Sequence, residues 1–597
     1  MGTVYFPEES GKARTEGASH TPPPTGKGFY PTRSRVVMFL LFLSFFSLIG
    51  GALWLQAISS KRLQDRGKAY SVKELKPMAM RGKIMDRDGA LLASDIPASA
   101  ISADPDEARS APKEKRMALA RLLDISLQRL DARLKSNAQF VYLKRQVDQD
   151  VANAILKLGI NGIRASKEYK RSYPEGEIFS HLIGFANVDN AGKAGIELAA
   201  QNILAGTAGH RRVIRDVRGR IVEDTQAVRD PVDGGDIVLS VNSRLQYIAF
   251  RELKDAVTRQ RANSGSAVVL DVRSGEVLAM TNYPGYDPNV VTQREGEHVR
   301  NRALTDAYEP GSTLKPFTVA LAMDKRKVTP KTTIQTAPGK LQIGKATIED
   351  AHPHGALSVS QIIEKSSNVG TVKLAMMMKA HDMWNLFEAL GFGTQASMEF
   401  PGATRGKLRP YKSWQPIEQA TMSYGHGIDV SLTQLARAYM PFARRGDIVP
   451  LSLYRLDVPP AGRQVISEKT ALEMRHILEK ATGPDGTAPK AQVRGYRVAG
   501  KTGTSYKRID GRYFREVNGR KLRKYVASFV GFAPASQPRV IVAVMIDEPS
   551  NGRHYGGDIA APVFSRIVRD AMGLLEIAPD SPVTDVVIPQ DATKESI

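Results

Sequence analysis

The longest apolar stretch in the chain runs from Val36 to Ile58 without a charged residue. About 20 apolar residues are enough to cross the hydrocarbon core of a bilayer, and no A-x-A cleavage pattern follows this stretch. The pattern therefore predicts a transmembrane helix, with a buried core helix as the alternative. Basic residues flank it on both sides, so the positive-inside rule does not settle its orientation.

A second region, up to about Val232, alternates short apolar runs with turn signals. Apolar spacing and turn dipeptides indicate a polar helical stalk, a β-hairpin, two helices and a second hairpin. In chain order these elements cover residues 60–74, 84–93 with the turn at Asp88-Gly89, 112–123, 150–158, and 211–223 around Arg218-Gly219.

A third region begins near Gly234-Gly235 and has apolar strands near both of its ends, with helices between them. The predicted strands are 237–241, 266–271, 276–281, 526–532 and 540–546, and the predicted helices include 244–257, capped by Ser243, and 561–574. Distant strands with intervening helices favour one sheet with helices packed on it. The expected domains are a cytoplasmic tail (1–35), the transmembrane helix (36–58), a stalk and second domain (59–232), a third domain (233–575) and a flexible tail (576–597).

The composition of the chain excludes several classes of function. The 597 residues include 84 Lys and Arg against 62 Asp and Glu, a formal net charge of +22, and no cysteine. The charge fits a solvated basic surface or attraction to an anionic cell envelope, since no nucleic-acid motif accompanies it. The absence of cysteine excludes disulfides and thiolate chemistry. His352 and His354 form H-x-H without further obvious ligands, so neither a metal nor a cofactor is expected.

Three short motifs carry the candidate chemistry: Ser312-Thr313-Leu314-Lys315, Ser366-Ser367-Asn368 and Lys501-Thr502-Gly503-Thr504. The patterns S-x-x-K and S-x-N also occur at Ser110–Lys113 and Ser240–Asn242, whereas K-T-G occurs once. Ser110 lies in the second region and Ser240 within a predicted strand, so these two copies are set aside.

Ser312 follows Glu309-Pro310-Gly311 and is predicted in the first turn of a helix, with Lys315 one turn later on the same face. A serine hydroxyl becomes a nucleophile when a nearby base takes its proton. The Lys315 amine can serve as that base if burial and cationic neighbours such as Lys501 lower its pKa. An ordinary helix start with a solvated lysine is the alternative for this motif alone.

The other two motifs are predicted on a loop and a strand. Ser366 can relay a proton between Lys315 and a leaving amine, and Asn368 can hold Lys315 or a substrate amide, although a helix cap is the alternative. Gly503 leaves room for another backbone or a substrate, and the strand edge can pair with an extended peptide. Thr502 and Thr504 can bind a carboxylate beside Lys501, with an oxyanion hole from the N–H groups of Ser312 and Thr504.

This motif set is that of penicillin-binding proteins and serine β-lactamases, and the chain resembles the class B penicillin-binding proteins from Val36 to Leu574. Residues 81–89 resemble the pedestal motif of that family. Five further stretches resemble its division-specific members: 173–176, 181–185, 195–198, 218–220 and 424–427.

The resemblance implies a multidomain α/β (α+β) fold: one transmembrane helix, an elongated β-rich pedestal, and a transpeptidase domain with a mainly antiparallel sheet flanked by helices. It implies a peptidoglycan D,D-transpeptidase of the inner membrane, active at the division septum and acylated by β-lactams on Ser312, with the catalytic domain in the periplasm. The implied partners are stem peptides, lipid-linked nascent glycan, an FtsW-like glycosyltransferase and other division proteins.

Three alternatives stay open: an elongation-specific class B enzyme, a β-lactamase or penicillin sensor, and a scaffold that has lost catalysis. A separate hypothesis concerns the eight Lys and Arg residues that crowd 507–524. They predict a basic hairpin beside the active site that holds glycan-peptide substrate, with a merely solvated hairpin as the alternative.

Overall fold

The computed structural model describes residues 31–54, 72–75, 77–138, 140–215, 221–395, 398, 400–509, 511–517 and 520–582. The contacts divide the chain into two compact units. The first contains residues 1–75 and 210–228, and the second contains residues 76–209 and 229–597.

The first unit contains the predicted membrane helix and a small sheet. The helix spans Pro31–Leu53 and is long enough to cross a bilayer, and an 18-residue stretch within Thr32–Leu53 has a mean hydropathy of 2.5. It begins five residues before the predicted start, since proline is well tolerated in a first helical turn. Residues 55–58 lie outside the described residues.

Strands Val72–Leu75, His210–Arg215 and Ile221–Arg229 form a three-stranded sheet in that order. The predicted second hairpin is thus confirmed in its two strands, while its turn lies outside the described residues. The predicted helical stalk is wrong for its last residues, because Val72 pairs with Ile214 across a long sequence separation. The rest of that stalk, residues 60–71, is not described.

In the second unit, the part before the third region is built on the strand Leu91–Ala103. It pairs with Ile84–Met85, Val141–Asp148 and Ile163–Ser172, and Ile84–Met85 pairs in parallel with Ile237–Val238. The predicted hairpin is confirmed: Gly89 has φ +88° and the Asp86 carboxylate accepts the N–H groups of Asp88 and Ala90. The helices are Pro105–Ala108, Lys113–Leu122, Leu127–Leu134, Gln149–Lys157, Ser180–Ile183, Gly195–Ala199 and Gln201–Leu204.

A cluster of buried ion pairs joins two of the stretches that resemble family motifs, 81–89 and 195–198. The Glu197 carboxylate forms ion pairs with both Arg81 and Arg171, and Arg171 also pairs with Asp95 at 3.2 Å. All four side chains are at most 4% exposed. Buried charges persist only when paired, so removing one partner of such a pair is strongly destabilising. The stretches 81–89 and 195–198 therefore contribute to the architecture of the unit through this cluster.

The third region contains a five-stranded antiparallel sheet. Its strands follow the order Val277–Tyr283, Ser264–Asp271, Val540–Asp547, Tyr525–Ala533 and Ala499–Tyr506. Ala267 and Val269 belong to one hydrophobic core, whereas Val268 and Leu270 belong to another. Both faces of the sheet are thus buried, which explains the continuous apolar runs in its strands.

Two long helices, Ser243–Arg259 and Gly556–Leu574, contribute to the first of these cores. The cap of the earlier helix is Asn242, which accepts the Leu245 N–H, so the predicted cap at Ser243 is wrong. The later helix begins five residues before the predicted start. Its first residue is glycine because a Cβ there would lie 2.3 Å from the carbonyl oxygen of Ser528.

The remaining α-helices of the third region pack on the other face of the sheet or beside it. They span Arg302–Thr305, Lys315–Asp324, Val359–Glu364, Asn368–Met376, Ala380–Ala389, Pro416–Met422, Leu432–Ala438, Met440–Ala443 and Glu468–Ala481. Short two-stranded pairs join Thr333–Gln335 to Ala356–Ser358, Lys340–Ile343 to Ala346–Glu349, Asp447–Ile448 to Arg463–Gln464, and Arg515–Val517 to Arg520–Leu522.

The start of the predicted C-terminal tail is attached to the domain. The Tyr496 hydroxyl donates to the Ile577 carbonyl, and the Asp580 carboxylate accepts the N–H groups of Arg497 and Ser536. The prediction of a loose tail from residue 576 is therefore wrong at its beginning, and residues 583–597 lie outside the described residues.

Candidate active site

Ser312 lies in a short 3-10 turn, Gly311–Leu314, that continues directly into the helix Lys315–Asp324. Pro316 is accepted because it falls in the first helical turn, where its missing N–H needs no partner. Gly311 has φ +55°, and a Cβ there would lie 3.1 Å from the carbonyl oxygen of Thr504. The turn that carries Ser312 therefore packs closely against the strand of the third motif.

Ser366 connects the three motifs. Its hydroxyl oxygen accepts hydrogen bonds from Lys315 Nζ at 3.1 Å and from Lys501 Nζ at 2.9 Å, and its carbonyl oxygen also accepts from Lys315. It lies between the helices Val359–Glu364 and Asn368–Met376 with φ +58°, a conformation that costs a residue other than glycine roughly 1–3 kcal/mol. The surrounding packing holds the Ser366 hydroxyl between two buried lysine amines.

The rest of the second motif orders this loop. The hydroxyl of Ser367 caps the following helix by accepting the Gly370 N–H at 2.9 Å. The Asn368 amide nitrogen donates to the Glu349 carbonyl at 3.0 Å, whereas its amide oxygen is buried without a hydrogen-bond partner among the described residues. Asn368 thus has an acceptor available for a substrate N–H.

The third motif lies on the edge strand of the sheet, Ala499–Tyr506, as predicted. Thr502 Oγ1 lies 2.9 Å from Thr487 Oγ1, and Thr504 Oγ1 accepts the Gly556 N–H at 3.0 Å. A Cβ on Gly503 would lie 2.8 Å from the carbonyl oxygen of Pro310, so glycine here admits the backbone that precedes Ser312.

All eight candidate residues lie in the second unit. Hydrogen bonds join Lys315, Ser366 and Lys501 directly, and Ser312 shares a turn with Lys315. The second copies of the S-x-x-K and S-x-N patterns lie away from this cluster. Ser110 is exposed and donates to the Glu107 carbonyl, and Ser240 is buried and donates to the Val277 carbonyl at 2.9 Å.

The structure adds a group beside the site that sequence reasoning missed. The Tyr513 hydroxyl donates to both carboxylate oxygens of Glu309, at 3.0 and 3.1 Å, and Arg508 lies 3.8 Å from the same carboxylate. Burial raises the pKa of Glu309 and lowers the pKa of His426 to about 4, which leaves that imidazole neutral at pH 7. The stretch Tyr424–Gly427 was noticed only for its family resemblance.

The basic segment 507–524 forms the predicted hairpin in part, through its strands at 515–517 and 520–522. Several of its charges are already paired within the protein. Lys507 contacts Asp547 and Glu548, Arg508 contacts Asp429, and Lys524 contacts Glu548. These three residues are therefore weaker candidates for holding an anionic substrate than their sequence clustering suggested.

Among the described residues, no cluster of three or more His, Asp or Glu side chains is arranged as metal ligands would be. The site is instead built from hydroxyls, amines and an amide. This donor set suits proton transfer and acyl chemistry.

Comparison with known proteins identifies two family models along the chain. The model described as "Penicillin binding protein transpeptidase domain" matches residues 265–569, and "Penicillin-binding Protein dimerisation domain" matches residues 76–239. A similar curated protein is the probable peptidoglycan D,D-transpeptidase PenA of Neisseria gonorrhoeae, 40% identical over 93% of this chain and 95% of that protein. Peptidoglycan D,D-transpeptidase FtsI of Escherichia coli (strain K12) is 39% identical over 91% and 92%.

Solved structures show the same likeness. The transpeptidase domain of Burkholderia pseudomallei penicillin-binding protein 3 is 46% identical and covers 58% of this chain and 98% of its own, with a TM-score of 0.53. A peptidoglycan synthetase from Bifidobacterium adolescentis covers 87% of this chain and 99% of its own at 25% identity, with a TM-score of 0.68.

Proposed function

The chain belongs to the class B penicillin-binding proteins, in the group of FtsI and PenA, and on that basis we propose that it cross-links septal peptidoglycan through an acyl-enzyme on Ser312. It is a penicillin-binding peptidoglycan D,D-transpeptidase. The observation that carries the residue assignment is the Ser366 hydroxyl held between Lys315 and Lys501.

The first half-reaction forms the acyl-enzyme. Ser312 Oγ attacks the carbonyl carbon of the D-alanyl-D-alanine bond while Lys315 Nζ takes the hydroxyl proton. Burial and the nearby Lys501 both favour the neutral form of the Lys315 amine, which is the form that can accept a proton. The proton then passes through the Ser366 hydroxyl to the nitrogen of the leaving D-alanine as the C–N bond breaks.

The second half-reaction transfers the acyl group. The amine of a neighbouring stem peptide attacks the ester carbonyl, its proton returns through the same lysine and serine, and Ser312 Oγ leaves as the free hydroxyl. The product is an amide cross-link, and water is not consumed. β-Lactams acylate the same oxygen, and no metal or cofactor takes part in these steps.

Substrate is held by the second and third motifs. The edge of the strand Ala499–Tyr506 pairs with the extended stem peptide, and the Asn368 amide oxygen accepts one of its N–H groups. Thr502, Gly503 and Thr504 line the carboxylate site, where Lys501 supplies positive charge. The N–H groups of Ser312 and Thr504 bind the oxyanion.

The proposed domain organisation places residues 1–35 in the cytoplasm, a transmembrane helix over 36–58, and stalk and pedestal over 59–232. The transpeptidase domain, 233–575, lies in the periplasm. The cysteine-free sequence offers a clean test of this orientation. A single cysteine at exposed Lys469 is expected to react with a membrane-impermeant maleimide in cells whose outer membrane is permeabilised, whereas one at Ser19 is expected to react only after lysis. The reverse pattern would invert the topology.

The proposed division role rests on the sequence likeness to the division-specific members of the family, and it implies an FtsW-like glycosyltransferase and other division proteins as partners. A fluorescent fusion at native expression is expected to form mid-cell bands. Patches along the lateral wall would support the elongation-specific alternative instead. A protein that localises to mid-cell but restores no cross-linking to depleted cells would fit a division scaffold or a penicillin sensor.

A further inference from the structure

A cavity of about 680 Å³ lies in the transpeptidase domain, at the end of the sheet where the strands Ser264–Asp271 and Tyr525–Ala533 turn back. Five arginines line it: Arg273, Arg444, Arg445, Arg475 and Arg539. Only two carboxylates, Asp447 and Glu468, share the lining. None of the residues of the three motifs lines this cavity.

The two carboxylates are already engaged by two of the arginines. Asp447 accepts from Arg444 through Nε at 2.9 Å and Nη2 at 2.7 Å. Glu468 lies 3.4 Å from Arg445, which is 81% exposed. Within the described contacts, Arg273, Arg475 and Arg539 therefore face no carboxylate of the protein, and the cavity keeps an excess of positive charge.

Arg475 is only 9% exposed and donates to main-chain carbonyl oxygens alone. Its acceptors are the carbonyls of Phe442 at 3.1 Å, Ala443 at 3.0 Å, Arg444 at 2.8 Å and Ser536 at 3.3 Å. Carbonyl dipoles fix the position of a guanidinium but do not neutralise it. A buried charge without a counter-ion is costly, and an anion from outside the protein relieves that cost.

Arg539 gives a second, independent indication. Its Nε is buried and has no hydrogen-bond partner among the described residues. Buried donors in proteins are nearly always paired, so an orphaned one marks the place of a missing acceptor. Arg539 precedes the strand Val540–Asp547, and its carbonyl is fixed by the Val272 N–H at 2.9 Å. Its position is thus set by the sheet rather than by a flexible loop.

We propose that this cavity is a binding site for a diphosphate group. Guanidinium groups bind phosphate oxygens through paired, charge-assisted hydrogen bonds. Three uncompensated guanidinium groups match the multiple charges of a diphosphate, and the volume exceeds what one phosphate needs. Free diphosphate and a lipid-linked diphosphate present this same group.

The test is calorimetric titration of the detergent-solubilised full chain with inorganic diphosphate. Saturable one-to-one binding is expected, weakened at least tenfold in both Arg273→Gln and Arg539→Gln. Arg129→Gln removes one exposed arginine from a remote helix and serves as the control of equal charge change. Arg475 is left intact because its carbonyl contacts support the fold. Labelling by penicillin, which requires none of these residues, verifies that each variant is folded.

Titration with geranyl diphosphate shows whether the diphosphate group that the cavity binds is free or linked to a lipid. Tighter arginine-dependent binding than inorganic diphosphate assigns the site to a lipid-linked group, and equal binding assigns it to the free anion. The proposal is overturned if diphosphate does not saturate the protein, if the three variants lose affinity equally, or if Arg273→Gln and Arg539→Gln bind as tightly as the parent.

Discussion

Covalent labelling by penicillin is expected to disappear when Ser312 is replaced by Ala, because the acyl bond forms on the Oγ atom that this change removes. Cross-linking activity is expected to fall by roughly 10⁶-fold, the scale seen when the nucleophile of a serine enzyme is deleted. Stability should change little, since only one atom is lost from a small buried side chain. Gel fluorescence with a labelled penicillin measures the first effect, and thermal unfolding measures the second.

The duplicate motifs supply matched controls for this experiment. Ser110→Ala alters an exposed serine in the other S-x-x-K sequence, and its label is expected to equal that of the parent. Ser240→Ala removes a buried hydroxyl that donates to the Val277 carbonyl, so it lowers stability by about 1 kcal/mol without preventing acylation. Label that persists in Ser312→Ala, or that is lost in Ser110→Ala, would contradict the nucleophile assignment.

The sheet was largely predictable because its strands are buried on both faces. These strands contain the continuous apolar runs 267–270 and 540–546, and their observed bounds, Ser264–Asp271 and Val540–Asp547, differ from the predicted ones by one or two residues. The placement of the three motifs on a helix start, a loop and a strand also followed from local signals. Pro316, which is tolerated only near a helix start, placed Ser312 in a first helical turn. The run Val498-Ala499-Gly500 placed Lys501 on a strand.

What the sequence could not show depends on contacts between distant segments. Only two of the four residues in the strand Val72–Leu75 are apolar, and its partner residues 211–214 lie far away in the sequence. The last helix was predicted to begin at Ala561, yet it begins at Gly556, where the Ser528 carbonyl leaves no space for a side chain. The hydrogen bonds of Tyr513 to Glu309 cross about 200 residues of sequence, and no local pattern marks either partner.

Replacing Lys315 by Met is expected to lower the rate of penicillin acylation by about 10³-fold, within the 10²–10⁴-fold range of general base catalysis. Methionine keeps the buried aliphatic stem and removes the amine that contacts Ser366. Stability should fall by about 1–3 kcal/mol, since the change removes the amine that donates to the buried Ser366 carbonyl. The measurement is the second-order acylation rate, followed from pH 6 to 9.

A general base acts only in its unprotonated form, so the acylation rate of the parent is expected to rise with pH, and Lys315→Met should lose this rise. Burial keeps the pKa of His426 at about 4, so this imidazole is neutral across the whole range. His426→Gln should therefore leave the shape of the profile unchanged. Ser366→Ala keeps the Lys315 amine but removes the hydroxyl that connects it to Lys501. The acylation rate is therefore expected to fall by about 10²-fold, less than in Lys315→Met. If Lys315→Met kept the parent profile while His426→Gln abolished the rise, the imidazole rather than the amine would be the base.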